Sequence, residues 1–136
     1  MTSSTRKTVL ITGCSAGGIG SALAQAFHDQ GCRVFATARS LSKVAHLRDL
    51  GISVLQLDVE NAASIDSAAS QVGAATGGTL DILVNNAGTS SATTLELMTD
   101  DDLKVDFGIK VYGAIYCARA VLPYLKDSGT GAIINT

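Results

Sequence analysis

Five short apolar runs alternate with four longer, helix-like runs along this chain, and that order limits its fold more than any other feature. The strand-like runs are TVLIT (8–12), RVFATA (33–38), ISVLQLDV (52–59), LDILVNN (80–86) and GAIINT (131–136). Helical patterns occupy residues 19–30, 41–50, 62–75 and 100–125 between them. Strict alternation of this kind predicts a parallel sheet covered by helices on both faces. LDILV and GAIIN are continuously apolar, as strands buried on two faces must be. The expected architecture is α/β, a doubly wound parallel sheet in one domain over residues 1–136, with its ligand crevice at the carboxyl ends of the strands.

The helices are read from spacing. Ile19, Ala22, Leu23, Ala26 and Phe27 recur at the intervals of one helical face, as do Ile65, Ala68, Ala69 and Val72. In the last and longest helix, Thr99 stands at the N-cap with Asp100, Asp101 and Asp102 in the first turn, where the helix dipole favours negative charge. That dipole accounts for the three aspartates, and no chemistry is assigned to them. Phe107, Val111, Ala114, Ala118, Val121 and Leu125 are expected to form an apolar stripe along the same helix.

Composition removes several classes of function. An apolar content of 46% with mean hydropathy +0.30 describes a globular chain. The net charge of -2, with ten Lys and Arg residues scattered rather than clustered, leaves no electrostatic footprint for nucleic acid. Cys14, Cys32 and Cys117 are odd in number and widely spaced, which fits neither a disulfide framework nor a metal cluster. No metal is expected. No apolar run approaches the roughly 18 residues of a membrane span, and MTSSTRK lacks the pattern of a secretory signal. Reduced thiols and a cytoplasmic location are the expectation, with association to a membrane or lipid droplet left open.

Between the first strand and first helix runs T-G-C-S-A-G-G-I-G, with glycines at 13, 17, 18 and 20. Glycine permits close backbone approach, and the helix start offers unpaired N–H groups with a positive dipole end, so the turn is a candidate pyrophosphate cradle. Ser15 and the N–H groups near Ile19 are candidate donors. It is not the G-x-G-x-x-G fingerprint, and no G-K-[ST] follows. Context at the other strand ends adds to it. Roughly 20 residues beyond the glycines, where a dinucleotide site reads the adenosine ribose, stand Thr37, Ala38 and Arg39. A guanidinium there pairs with a 2′-phosphate, which favours NADP over NAD. The third strand ends in Asp58 and Val59, and the fourth in Asn85, Asn86, Ala87 and Gly88.

With Thr12-Gly13, Gly18-Ile19-Gly20, Asp58-Val59 and Asn85-Asn86-Ala87-Gly88 in order, the sequence resembles the short-chain dehydrogenase/reductase family and its Rossmann-type sheet. The turn is one residue longer than the family's usual T-G-x-x-x-G-x-G. It is similar to the variant in reductases like acyl-dihydroxyacetone-phosphate reductase and some hydroxysteroid dehydrogenases. The resemblance implies that Ile11, Gly13, Ser15, Gly18, Ile19 and Gly20 line the phosphates and ribose of NADP. It also implies Thr37 and Arg39 at the adenosine end, Asp58 and Val59 at the adenine, and Asn85, Ala87 and Gly88 at the inner ribose. The implied activity is hydride transfer between nicotinamide and a small-molecule carbonyl or alcohol.

The family's catalytic residues are not found. Four residues beyond Tyr112, Tyr116 and Tyr124 come Tyr116, Ala120 and Ser128, so no Tyr-x-x-x-Lys exists and no residue is assigned a catalytic role. The resemblance covers about the first half of such a domain, and the expectation is a chain truncated after about the fifth strand. Such a chain is expected to expose an apolar edge and helix stripe. Three readings follow: a shortened, inactive reductase; a noncatalytic nucleotide-binding or interaction module that forms a homo-oligomer or pairs with a full-length relative through the long helix; or a nonfunctional remnant. Aligning F-G-I-K-V-Y-G with the family's helix motif puts Lys110 where asparagine is usual. Its stem either snorkels to water or brings its ammonium toward the cofactor.

Overall fold

A computed structural model describes residues 5–89 and 93–136; residues 1–4, the head of MTSSTRK, lie outside it. Five parallel strands form one sheet: β1 (Thr8–Ile11), β2 (Arg33–Ala38), β3 (Ser53–Gln56), β4 (Ile82–Asn85) and β5 (Ala132–Asn135). Their spatial order is β3-β2-β1-β4-β5. The chain therefore builds outward from β1 to β3, crosses back, and builds the other way from β4. This is the doubly wound, Rossmann-type arrangement, and its reversal lies between β1 and β4, where such sheets hold ligands. Register sets Ile11 between Ala36 and Val84 and puts Asn85 opposite Asn135.

Side chains alternate across the sheet, so two cores form. On one face Val9, Ile11, Val34, Ala36 and Val84 pack under helices α1 (Ile19–Asp29) and α2 (Ala45–Arg48). On the other, Leu10, Phe35 and Leu83 pack against α3 (Ala62–Thr76) and α5 (Ala114–Ser128). The α3 stripe Ile65, Ala68, Ala69 and Val72 is buried as its spacing predicts, and Asn61 caps the helix by accepting from the Ser64 N–H at 3.0 Å. No helix among the described residues is long and apolar enough to cross a membrane.

Three expectations from spacing change. In α1 the buried residues are Gly20, Ser21 and Ala24, whereas Ile19, Ala22 and Ala26 are exposed, because the helix docks through its smallest residues. The helix read over 41–50 is a 3-10 turn, Leu41–Lys43, followed by the single-turn α2. The long helix is continuous but not uniform: α4 (Asp100–Phe107) passes into a π-helical turn, Gly108–Gly113, before α5. A wider turn advances the face below it relative to the one above. Hence Val121 and Leu125 are buried, with Cys117 joining them, while Phe107 and Val111 of the expected stripe are exposed. Thr99 and Asp102 form a reciprocal capping box at the start of α4. Ile133 and Ile134 of the edge strand β5 are exposed.

Asp81 ties the amino ends of three strands together. Its carboxylate accepts from the Thr8 N–H at 2.8 Å, the Thr8 hydroxyl at 3.2 Å and the Thr130 hydroxyl at 2.9 Å. Partial burial by itself would raise the carboxyl pKa; these bonds and the Lys7 charge outweigh it and hold the group below its ordinary value. Stability from this source is present above the unfolded-state value of about 3.9 and is lost as pH falls through the lower folded value. Asp81→Ala is expected to lower unfolding free energy by about 1–3 kcal/mol at neutral pH. In denaturant titrations across pH, the gap to wild type should narrow below about pH 4.

Candidate cofactor site

The site is built on a seam between the exits of β1 and β4. Thr12, buried directly after β1, accepts through its hydroxyl from the N–H groups of Asn86 at 3.0 Å and Ala87 at 2.9 Å. The Asn86 side-chain amide donates to the Gly13 carbonyl at 3.1 Å. Gly13 has φ +71, and a Cβ there would stand 2.7 Å from the Ala87 Cα. Gly20, the second residue of α1, rides over the same carbonyl; a Cβ on it would meet the Asn86 amide nitrogen at 2.6 Å. Two glycines thus let a turn, a helix and a strand exit converge.

The second strand anchors the turn from the other side. Cys14 donates its N–H to the Thr37 carbonyl at 2.7 Å, and the Thr37 hydroxyl donates to the Ile11 carbonyl at 3.0 Å. The Ala16 N–H reaches the Lys43 carbonyl at 3.0 Å. Held at both ends, the turn leaves Gly17 and Gly18 exposed, and no side chain caps the start of α1. Its first-turn N–H groups therefore lack intrahelical acceptors and face a position suited to an anion.

A cleft of about 510 Å³ runs over this turn. Of the residues picked out by sequence, Gly13, Ser15, Gly18, Ile19, Arg39, Asp58, Val59, Ala87 and Gly88 line it. Ile11, Gly20 and Thr37 are buried behind its wall, where they fix the turn. Asn85 faces an adjoining cleft of about 810 Å³, and its amide donates to the Asn135 side-chain oxygen at 3.0 Å. The structure also brings in Glu60 and Ile109, which the sequence does not single out, and Asn86, which belongs to the strand-end motif but carries no site assignment there. Asn86 was visible beside Asn85, but adjacent residues at a strand exit point differently and spacing does not say which faces the turn.

The geometry fits a dinucleotide: bare backbone and free N–H groups at the turn, a guanidinium at the end of β2, and room between. Sulfur chemistry has no place in it. Burial pushes the Cys14 thiol up to about 11, against a lowering bond to the Thr37 backbone, and pushes Cys117 up to about 11 as well. Both remain protonated at neutral pH. No grouping of potential metal ligands occurs among the described residues.

Residues 7–136 match the family model for short chain dehydrogenase. The chain belongs to the short-chain dehydrogenase family. It is 58% identical over 133 residues to short-chain dehydrogenase PC-15 of Penicillium crustosum, covering 96% of this chain and 48% of that one. Over 130 residues it is 43% identical to the NADPH-dependent 1-acyldihydroxyacetone phosphate reductase of Schizosaccharomyces pombe, covering 95% and 43%. The solved structure of ElxO with NADP bound superposes with TM-score 0.86 at 30% identity, over 96% of this chain and 55% of that one. The chain spans about half the length of the curated relatives it matches.

Within this family member the Gly13 seam is testable. Gly13→Ala adds a side chain at positive φ and against Ala87, and is expected to cost about 2–4 kcal/mol of stability in thermal or denaturant unfolding.

Proposed function

We propose that this chain is the NADP-binding portion of a short-chain oxidoreductase that transfers hydride between nicotinamide and a small-molecule carbonyl or alcohol. Arg39 carries the choice of cofactor. It stands at the end of β2 in the wall of the cleft that holds the glycine turn, and no carboxylate occupies that strand end. A 2′-phosphate there gains a charge-assisted, two-pronged hydrogen bond, whereas the 2′-hydroxyl of NAD finds no carboxylate at that strand end. The names of the Schizosaccharomyces pombe reductase and the ElxO complex, both with NADP(H), support the same reading.

Ser15 and the N–H groups opening α1 would hold the pyrophosphate, Asp58 and Val59 the adenine, and Ala87 and Gly88 the inner sugar. Bound there, the cofactor supplies hydride. These 136 residues contain no Tyr-x-x-x-Lys to move the accompanying proton, so by themselves they are expected to bind the cofactor without turning over substrate. A second reading, a binding module that pairs with another copy or a longer relative, is favoured by the exposed Phe107, Tyr112, Ile115 and Tyr116. A chain that stays monomeric in sedimentation at micromolar concentration, both alone and mixed with a full-length relative, would sink that second reading.

Fluorescence titration tests the first. The chain should bind NADPH more tightly than NADH, and Arg39→Ala should weaken NADPH about tenfold with little effect on NADH. Equal affinity for the two cofactors in the wild-type chain would overturn the NADP assignment. Mixed with NADPH and a panel of carbonyl compounds, the same preparation should leave the absorbance of the reduced nicotinamide unchanged.

A further inference from the structure

The two clefts are parts of one groove. Val59, Asn86, Ala87, Gly88 and Ile109 line both, so the cleft over the glycine turn continues into the larger one beside β5. Arg39 lies in the first part. Lys110 lies in the second, where it is the one charged residue among those lining the wall.

Lys110 comes from the π-helical turn, and its stem lies across the backbone of Gly88. A Cβ on Gly88 would stand 3.1 Å from the Lys110 Cε and 3.7 Å from its Cγ. The absent side chain is therefore what gives the lysine its path along the β4 exit. Among the described residues Lys110 has no ion pair; the pair that does form on this helix is Lys104 with Asp101, at 3.8 Å. The Asn85 amide nitrogen nearby is already committed to Asn135. A lysine with three ammonium donors and no carboxylate partner among the described residues thus runs past Gly88 in the cleft that Ala87 also lines.

We infer that Lys110 holds the vicinal hydroxyls of the second ribose of a bound dinucleotide. The inference rests on the nucleotide-site reading above, which sets the pyrophosphate at the glycine turn and the next sugar against Ala87 and Gly88. A diol offers two neighbouring oxygens as acceptors, which a rotatable ammonium can meet together in charge-assisted bonds. Lys110 is in this sense a binding residue at the far end of the groove from Arg39.

Two probes separate the ends. 2′-Phospho-ADP carries every phosphate of the Arg39 half and lacks the second sugar; 2′-phospho-ADP-ribose adds that sugar without the nicotinamide ring. In calorimetric titrations of the 136-residue chain, Lys110→Met should weaken 2′-phospho-ADP-ribose about tenfold and leave 2′-phospho-ADP within about twofold. Lys110→Arg should keep most of the affinity for the ribose-bearing probe, because a cationic donor remains. Arg39→Ala should weaken both probes alike. Unchanged affinity of Lys110→Met for 2′-phospho-ADP-ribose overturns the inference while leaving the nucleotide site standing. Equal losses on both probes also overturn it, since the lysine would then act on phosphate or on the fold. A wild-type chain that binds neither probe overturns the nucleotide-site reading and this inference with it.

Discussion

The seam between the exits of β1 and β4 is the constraint on which the rest depends. One buried hydroxyl, on Thr12, accepts from two successive backbone N–H groups across that seam, and one side-chain amide, on Asn86, returns a bond to the Gly13 carbonyl. Buried backbone donors must be satisfied, so these bonds replace the ladder that strands β1 and β4 no longer supply beyond their ends. They hold the glycine turn open toward the cleft, seat α1 through Gly20, and bring Ala87 and Gly88 to the same opening. A doubly wound sheet creates a crevice wherever its strand order reverses. Here the Thr12 and Asn86 bonds give that crevice a fixed floor.

Around that floor the molecule is asymmetric. The faces of β1 and β2 are covered on both sides by helices and their residues are nearly all buried. Toward β5 the cover thins: the strand is exposed along its length, and the π-helical turn rotates Phe107, Val111 and Tyr112 away from the core. The same turn gives Lys110 its position beside Gly88. A single extra residue in one helical turn therefore does two things at once, taking apolar side chains out of the core and putting a cation into the groove. The exposed aromatic and aliphatic residues on the outer side, with Tyr112 and Tyr116 stacked at 6.3 Å, make that flank of the long helix apolar.

Much of the fold was readable from local pattern. The number of strands, their parallel sense and the helices between them follow from runs of apolar residues, because a strand buried on two faces has little freedom in composition. The α3 stripe follows from spacing for the same reason, and Asn85, the last residue of β4, pins the neighbouring strand end through its side chain. The rotation of α1 did not follow. Ile19 satisfied the period of a buried face, yet the helix docks through Gly20, whose lack of a side chain allows contact with the Gly13 carbonyl, and through Ser21, which bonds to the His46 ring. Nor did the role of Asn86, whose bond joins positions 73 residues apart in sequence.

The sequence by itself determined the class of sheet, the place of the glycine turn between β1 and α1, the cation at the end of β2, and the absence of a Tyr-x-x-x-Lys among these residues. All of these are local: each depends on residues within one run or one turn. Tertiary structure alone decided which residues face the cleft and which stand behind it, with Gly13, Ser15, Arg39 and Asp58 in its wall and Ile11, Gly20 and Thr37 buried behind. It alone brought Lys110 to Gly88, two elements apart in the chain. The physical reason is that facing and contact are set by how closely separate elements approach. That distance is fixed by the size of side chains at the seam, which no periodicity within a single element encodes.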